Sequence, residues 1–428
     1  MRFLYFVLYY ILNYTLRLYF KNVKVVNKPP KFGKTIFVSN HPAAFMDPLV
    51  IAAFNRAVVY FMTRSDVFNS FTRPIFWIAH MLPIYRQRDG VNTKEKNLAV
   101  FKKCSETLLR NRNLLLFGEG VTDDIFVRRL KQIKKGALRI GFTALESCDW
   151  KEDIYIVALG CNYSEPSIYG SDLLMINSKP IHLNNYRKQY DENPSKIINE
   201  LTAQLQVMLE GTMTHVVDIN DTEFHENIMR IQRKGMSHFY CNDSDLKARY
   251  DHSVHLASTI TSNSVQSAGL REQLNSYFTK LKQMGISDDL LFDYKSNSFS
   301  WNRVLTHLLL LPIVLLGVIH CGLFYWPIKA FVERKFKRPA FWGSTKLIMM
   351  IFIAGISNLS VFFFLPSCIG WPLSILYFCL IPLFGHVFHR SLTFWKRMYQ
   401  LYMLSKQNTE SIWNERKELN QKITTFVK

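Results

Sequence analysis

Residues Phe37–Val50 read FVSNHPAAFMDPLV, a short apolar run that stops at Asn40-His41-Pro42 and restarts as a helical pattern at Asp47-Pro48. The run KTIFVSN predicts a buried strand, the small residues after His41 a tight turn, and PLVIAAFNR a helix. His41 therefore leaves a strand and Asp47 sits near the start of the next helix. A histidine and a carboxylate so placed suit acid/base chemistry. Asp47 before Pro48 equally suits the opening of a helix.

Working outward, the same alternation continues from Lys34 to about Ser164. AVVYFMTR, NLLLFGE and IYIVALGC read as further strands. The run Ser65 to His80, TKEKNLAVFKKCSETLLRN and KKGALRIGFTALESC read as helices. Strands alternating with helices predict an α/β fold, a sheet flanked by helices, with its active site in the loops beyond the strand ends. His41 follows one strand and Glu119 ends another, so both fall in that zone. DLLMINSKPIHLNNY adds a candidate strand.

Two further segments carry chemistry. In LPIYRQRDG, Arg86 and Arg88 alternate along an extended stretch, so both guanidiniums point one way and suit a phosphate clamp. The charges of a solvated edge strand give the same pattern. In LLLFGEGVTDD, Glu119 lies between Gly118 and Gly120, where a flexible backbone lets amides approach an anion. It is not a dinucleotide fingerprint, because Asp123 stands where a third glycine belongs. Ser39 lacks a GxSxG elbow and is not a serine nucleophile.

Lys and Arg number 53 against 33 Asp and Glu, a net charge of +20, and 14% of residues are aromatic. This balance suits an anionic partner met at an oily interface. The basic residues are dispersed and no nucleic-acid-binding signature occurs, so membrane phosphates are the expected partner and nucleic acid is not. Seven cysteines form no CxxC pair or Cys/His cluster, which fits a reducing compartment and predicts no metal site. His386 and His389 share a helix face at the end of an apolar span and read as an interfacial polar pair.

The blocks NHPAAFMDP, LPIYRQRDG, LFGEGVTDD and IVALGCNYSEP, in that order over roughly Phe32 to Tyr163, resemble the glycerolipid acyltransferase family, the PlsC-like enzymes. The tail resembles the subset allied to glycerol-3-phosphate and dihydroxyacetone-phosphate acyltransferases. The resemblance implies an acyltransferase-type mixed sheet. It assigns catalysis to His41 and Asp47, and binding of the acceptor to Arg86, with Glu119 and Gly120 matching the third block; Arg88 is a further candidate to hold the acceptor beside Arg86. It implies no cofactor beyond acyl-CoA or acyl carrier protein as donor, and a glycerol-phosphate or lysophosphatidate acceptor. Three departures stand out: five residues separate His41 from Asp47 where four are usual, Gly118 replaces a common proline, and Val121-Thr122-Asp123 lacks the frequent arginine. Lys135 and Arg139 are candidates to supply that charge. A lipid-binding protein without turnover, a transacylase and an amino-lipid acyltransferase share these features.

The opening MRFLYFVLYYILNYTLRLYF, with a short basic link to about residue 30, predicts a retained helix at a membrane interface. The acyltransferase domain is expected over 31–193 and a polar, mainly helical region over 194–300. Membrane segments follow over 301–390, then a cytoplasmic C-terminal helix over 391–428. Val304 to Tyr325 and Leu347 to Phe388 are each long enough to cross a bilayer. The basic stretches KAFVERKFKRP and HRSLTFWKR predict that Lys335 and Ser391 share the cytoplasmic face with the catalytic domain. That topology makes the first block re-entrant or in-plane, broken at Pro312, and the second a hairpin turning at LPSCIGWP.

Overall fold

The computed structural model describes residues 2–29, 34–55, 59–70, 72–85, 93–238, 245–263, 267–296 and 300–427. The chain divides into two compact units, one of Met1–Tyr163 with Asp172–His215, the other of Ser164–Ser171 with Val216–Lys428.

In the first unit, eight strands among the described residues form one sheet: β1 (Asn22–Val26), β2 (Lys34–Ser39), β3 (Val59–Arg64), β4 (Met81–Ile84), β5 (Asn113–Phe117), β6 (Ile154–Tyr163), β7 (Asp172–Asn177) and β8 (Ile181–His182). The order is β1-β7-β6-β2-β5-β3-β4, with β8 also on β6. β2 pairs parallel with β5 and β6, and β3 with β4 and β5. β7 and β8 run antiparallel to β6, so the sheet is mixed. The expected basic link after the first helix contains β1, whose NVKVV alternation supplies a strand that pairs with β7. Its lysine interrupts the apolar run, which hides the strand from a search for apolar stretches.

The unit's helices are α1 (Arg2–Tyr19), α2 (Met46–Val50), α3 (Thr72–Ile78), α4 (Thr93–Leu109), α5 (Gly136–Ser147), α6 (Arg187–Glu192) and α7 (Pro194–Glu210). Ile36 and Val38 of β2 join a core with Cys104 and Leu108 of α4, Leu138 and Phe142 of α5, and Ile197, Leu201 and Leu205 of α7. Phe37 and Ser39 alternate to the other face. α7 starts at a proline, its amino end capped by the Asn193 side chain, which accepts from the Lys196 amide at 3.0 Å. Its four-residue spacing of apolar positions buries one face on the sheet. Residues 194–210 thus belong to the sheet domain, not to the polar region expected over 194–300.

α1 is split between two environments. Leu16 and Tyr19 are buried, and Asn13 Nδ2 donates to Ala53 O at 2.7 Å in the helical turn after α2. Phe3, Val7 and Tyr10 are exposed.

In the second unit, α8 (Thr222–Gln232), α9 (Leu246–Ser262), α10 (Ser267–Gln283) and α11 (Asp288–Lys295) share a core with Glu410–Val427. Buried Arg416 binds both oxygens of Asp288 at 2.7 and 3.0 Å, and Tyr277 donates to the same carboxylate at 2.7 Å. The C-terminal helix is therefore part of the polar helical core rather than a separate appendage. Its partners lie over a hundred residues away and leave no local trace.

Among the described residues, two helices are long and apolar enough to cross a membrane, Leu311–Lys335 and Pro339–Leu404. The first follows a break at Leu310 that puts Pro312 in its opening turn, where a missing amide costs little, and it runs on past Tyr325 to Lys335. The second breaks at Gly370 (φ 78°, ψ 163°), within the expected turn LPSCIGWP. A Cβ on Gly317 would stand 2.4 Å from Phe384 O, so the two helices approach backbone to backbone. His320, in a π-helical turn, bridges them: Nδ1 contacts Asn358 Oδ1 at 2.6 Å and Nε2 contacts the Tyr377 hydroxyl at 2.8 Å. His386 meets the Tyr169 hydroxyl at 2.5 Å, and the Tyr169 ring also lies against His389.

Candidate active site

β2 and β5 are neighbours in parallel register, with Ser39 opposite Phe117. The residues just beyond, His41 and Glu119, consequently emerge side by side at the carboxyl end of the sheet. The His41 amide donates to Glu119 Oε1 at 2.9 Å, and the Lys131 amide donates to Oε2 at 3.3 Å. Both oxygens of Glu119 thus hold backbone. Burial raises its carboxyl above the ordinary value, with the two amides pulling it back down.

His41 Nδ1 lies 2.9 Å from Asp47 Oδ2, despite the long spacing between them. The intervening turn places Ala44 at φ +48°, a left-handed residue that lets five residues close where four are usual. Asp47 is fully buried. Oδ2 also accepts the Ala43 amide at 3.0 Å, and Oδ1 accepts the Tyr163 hydroxyl at 2.8 Å. A buried carboxylate so surrounded by donors is fixed in orientation. Burial, with Asp47's charge added, pushes the Tyr163 phenol well up, so it remains a donor.

The imidazole stacks on Phe117, ring centres 3.9 Å apart. With Nδ1 held by a carboxylate, Nε2 is the basic nitrogen. Among the described residues Nε2 has no hydrogen-bond partner, and the side chain is 19% exposed. The arrangement can serve as a general base, with its proton-accepting atom open.

Behind it, Asn40 clamps β2 to β6, its side chain donating to Cys161 O at 3.1 Å and accepting the Cys161 amide at 2.8 Å. Ser39 is buried, its hydroxyl turned to Asn40 and Cys161. Buried Arg128 donates to Tyr163 O at 2.7 Å.

Of the other expected site residues, Gly120 takes φ +70°, which favours glycine, and Lys134 Nζ lies 2.9 Å from where its Cβ would stand. Lys134 therefore brings positive charge to this loop; it is exposed, as are Lys135 and Arg139. Gly118 explains the missing proline: a Cβ there would meet Ile133 Cγ2 at 2.7 Å. Arg86 and Arg88 lie outside the described residues. Tyr163, Phe117, Arg128 and Lys134 were not legible as site residues. Only the apolar blocks that contain the first two offered a signal.

No protein family and no curated protein matches this chain. A similar solved structure is the 1-acyl-sn-glycerophosphate (LPA) acyltransferase PlsC from Thermotoga maritima. It is 16% identical, covers 47% of this chain and 78% of its own, and superposes with a TM-score of 0.32.

Proposed function

We propose that this chain is an acyltransferase that moves a fatty acyl group from a thioester to the hydroxyl of a glycerol phosphate or lysophospholipid. One observation carries the reading: His41, oriented by a buried, fully bonded Asp47, presents an unpartnered Nε2 beyond the carboxyl ends of parallel strands. In this reaction Nε2 takes the hydroxyl proton as the oxygen attacks the thioester carbonyl. A C–O bond forms, the C–S bond breaks, and the imidazolium returns the proton to the departing thiolate.

In this reading Glu119 positions His41 through its backbone, while Gly120 and Lys134 border the acceptor. Arg86 and Arg88, which follow β4 in the chain, would hold its phosphate. Acyl-CoA or acyl carrier protein would be the donor. The exposed apolar face of α1 and the two long apolar helices would keep the enzyme at a phospholipid bilayer, with the catalytic domain on the cytoplasmic side.

The test is transfer of labelled acyl groups from both donors to glycerol 3-phosphate, dihydroxyacetone phosphate and lysophosphatidate. Turnover should fall about 10²–10⁴-fold in His41→Ala. Equal rates in the variant and the wild type would refute the assignment.

A further inference from the structure

A second opening lies at the opposite edge of the same sheet. The carboxyl ends of the parallel strands hold His41, whereas Val59, Met81 and Asn113 begin β3, β4 and β5 at the other edge. A cavity of about 440 Å³ opens there, within the about 300–1,000 Å³ typical of small-molecule sites. Its lining includes the apolar side chains of Phe6 of α1, Trp77 and Ile78 of α3, and Leu82 of β4. It also includes the basic side chains of Lys103, Arg110 and Arg112, with Glu106 the lone acid among the lining residues.

Three of its lining residues form a closed stack of rings. His80 lies between Tyr5 and Tyr60, with centroids 4.0 and 4.2 Å away and interplanar angles of 15° and 5°. Both faces of the imidazole are covered, so the stack offers no slot for a planar base. Among the described residues, His80 Nδ1 is buried without a hydrogen-bond partner. An apolar lining that also holds three cations, with no stacking slot, suits a flexible chain that ends in an anion. Phe6 belongs to the helix whose Phe3, Val7 and Tyr10 are exposed, so the rim is continuous with an apolar surface from which such a molecule can enter.

We propose that this cavity binds an anionic amphiphile, its chain against Phe6, Trp77 and Leu82 and its carboxylate or phosphate on Arg110, Arg112 and Lys103. The site is separate from the His41 couple and does not depend on turnover there.

The experiment uses the full-length protein in nanodiscs of neutral phosphatidylcholine. It is labelled with a photoreactive long-chain fatty acid in one arm and a photoreactive phosphatidate in the other, and the labelled peptides are mapped. Labelling within residues 77–82 or 103–112 is expected, and the arm that labels names the anion, carboxylate or phosphate. Arg110→Glu with Arg112→Glu should reduce it at least tenfold. Trp77→Arg, at a side chain that is 54% exposed, should do the same without disturbing the fold. His41→Ala should label like the wild type, so a failed catalytic assignment would leave this result standing. Labelling unchanged by both cavity variants, or confined to other peptides, would overturn the proposal.

Discussion

The hydroxyl of Tyr163 donates to Asp47 Oδ1 at 2.8 Å, on the carboxylate whose other oxygen holds His41. Both groups are buried, so neither has water as a substitute partner. Tyr163→Phe should cost about 1–3 kcal/mol of stability, the penalty for a buried acceptor left short of a donor. Asp47→Asn should preserve the fold and lower kcat by about 10⁴-fold by losing the imidazolium's counter-charge and its preferred tautomer. Thermal melts and acyl-transfer rates on the two variants separate these effects. A Tyr163→Phe protein as stable as the wild type would contradict the first.

Glu119 spends both oxygens on amides, those of His41 and Lys131. Glu119→Gln keeps the shape but turns an NH₂ toward one of those amides. The expected result is a lower kcat with little change in KM for either substrate, because the displaced group is His41 and not a substrate ligand. A large rise in acceptor KM at unchanged kcat would instead make Glu119 a binding residue.

Gly118 donates its amide to Ser39 O at 3.1 Å while its α-carbon abuts Ile133. Gly118→Pro, the residue that the resemblance leads one to expect, would remove that bond and collide with Ile133. It should destabilise the first unit by about 2 kcal/mol or more. Adding Ile133→Ala should recover only part of the loss, since the hydrogen bond stays broken. Full recovery would mean the collision alone matters.

His80 has its pKa lowered to about 4 by burial first, and by the nearby Arg112 second. The unfolded chain takes up this proton near pH 6.5 and the folded chain only near 4. Between those values the unfolded state binds more protons, so stability falls as pH drops from 6.5 toward 4. His80→Asn, which tolerates the left-handed backbone at φ +58°, should flatten that slope whatever its offset. An unchanged slope in denaturant titrations across this window would exclude His80 as its source.

Asn358 donates to the carbonyls of His320 and Ala354 at 2.9 and 2.7 Å, which leaves its oxygen to accept from His320 Nδ1. Its other ring nitrogen, Nε2, lies 2.8 Å from the Tyr377 hydroxyl. A double-mutant cycle of Asn358→Leu and His320→Leu should show a coupling of about 0.5–2 kcal/mol between the helices. Additive effects would remove the bridge as a determinant of their packing.

The alternation of apolar runs with helical patterns determined by itself that the first part of the chain is an α/β sheet. Side-chain periodicity is a local property and survives in one dimension. The same holds for His41 and Asp47, six positions apart on one turn, and for the apolar character of the two C-terminal blocks, though not for the course of the first one, expected to be re-entrant or in-plane. What only the tertiary structure decided is everything that depends on register between distant segments. β5 beside β2 brings Glu119 onto the His41 backbone, 78 positions away, and β6 brings Tyr163 to Asp47 across 116. The helix Glu410–Val427 looks isolated in sequence because its partner Asp288 is 128 positions from Arg416. Hydrogen bonds and buried ion pairs of this range arise when hydrophobic burial has fixed the sheet and the helical core, and no local pattern encodes which groups will then meet.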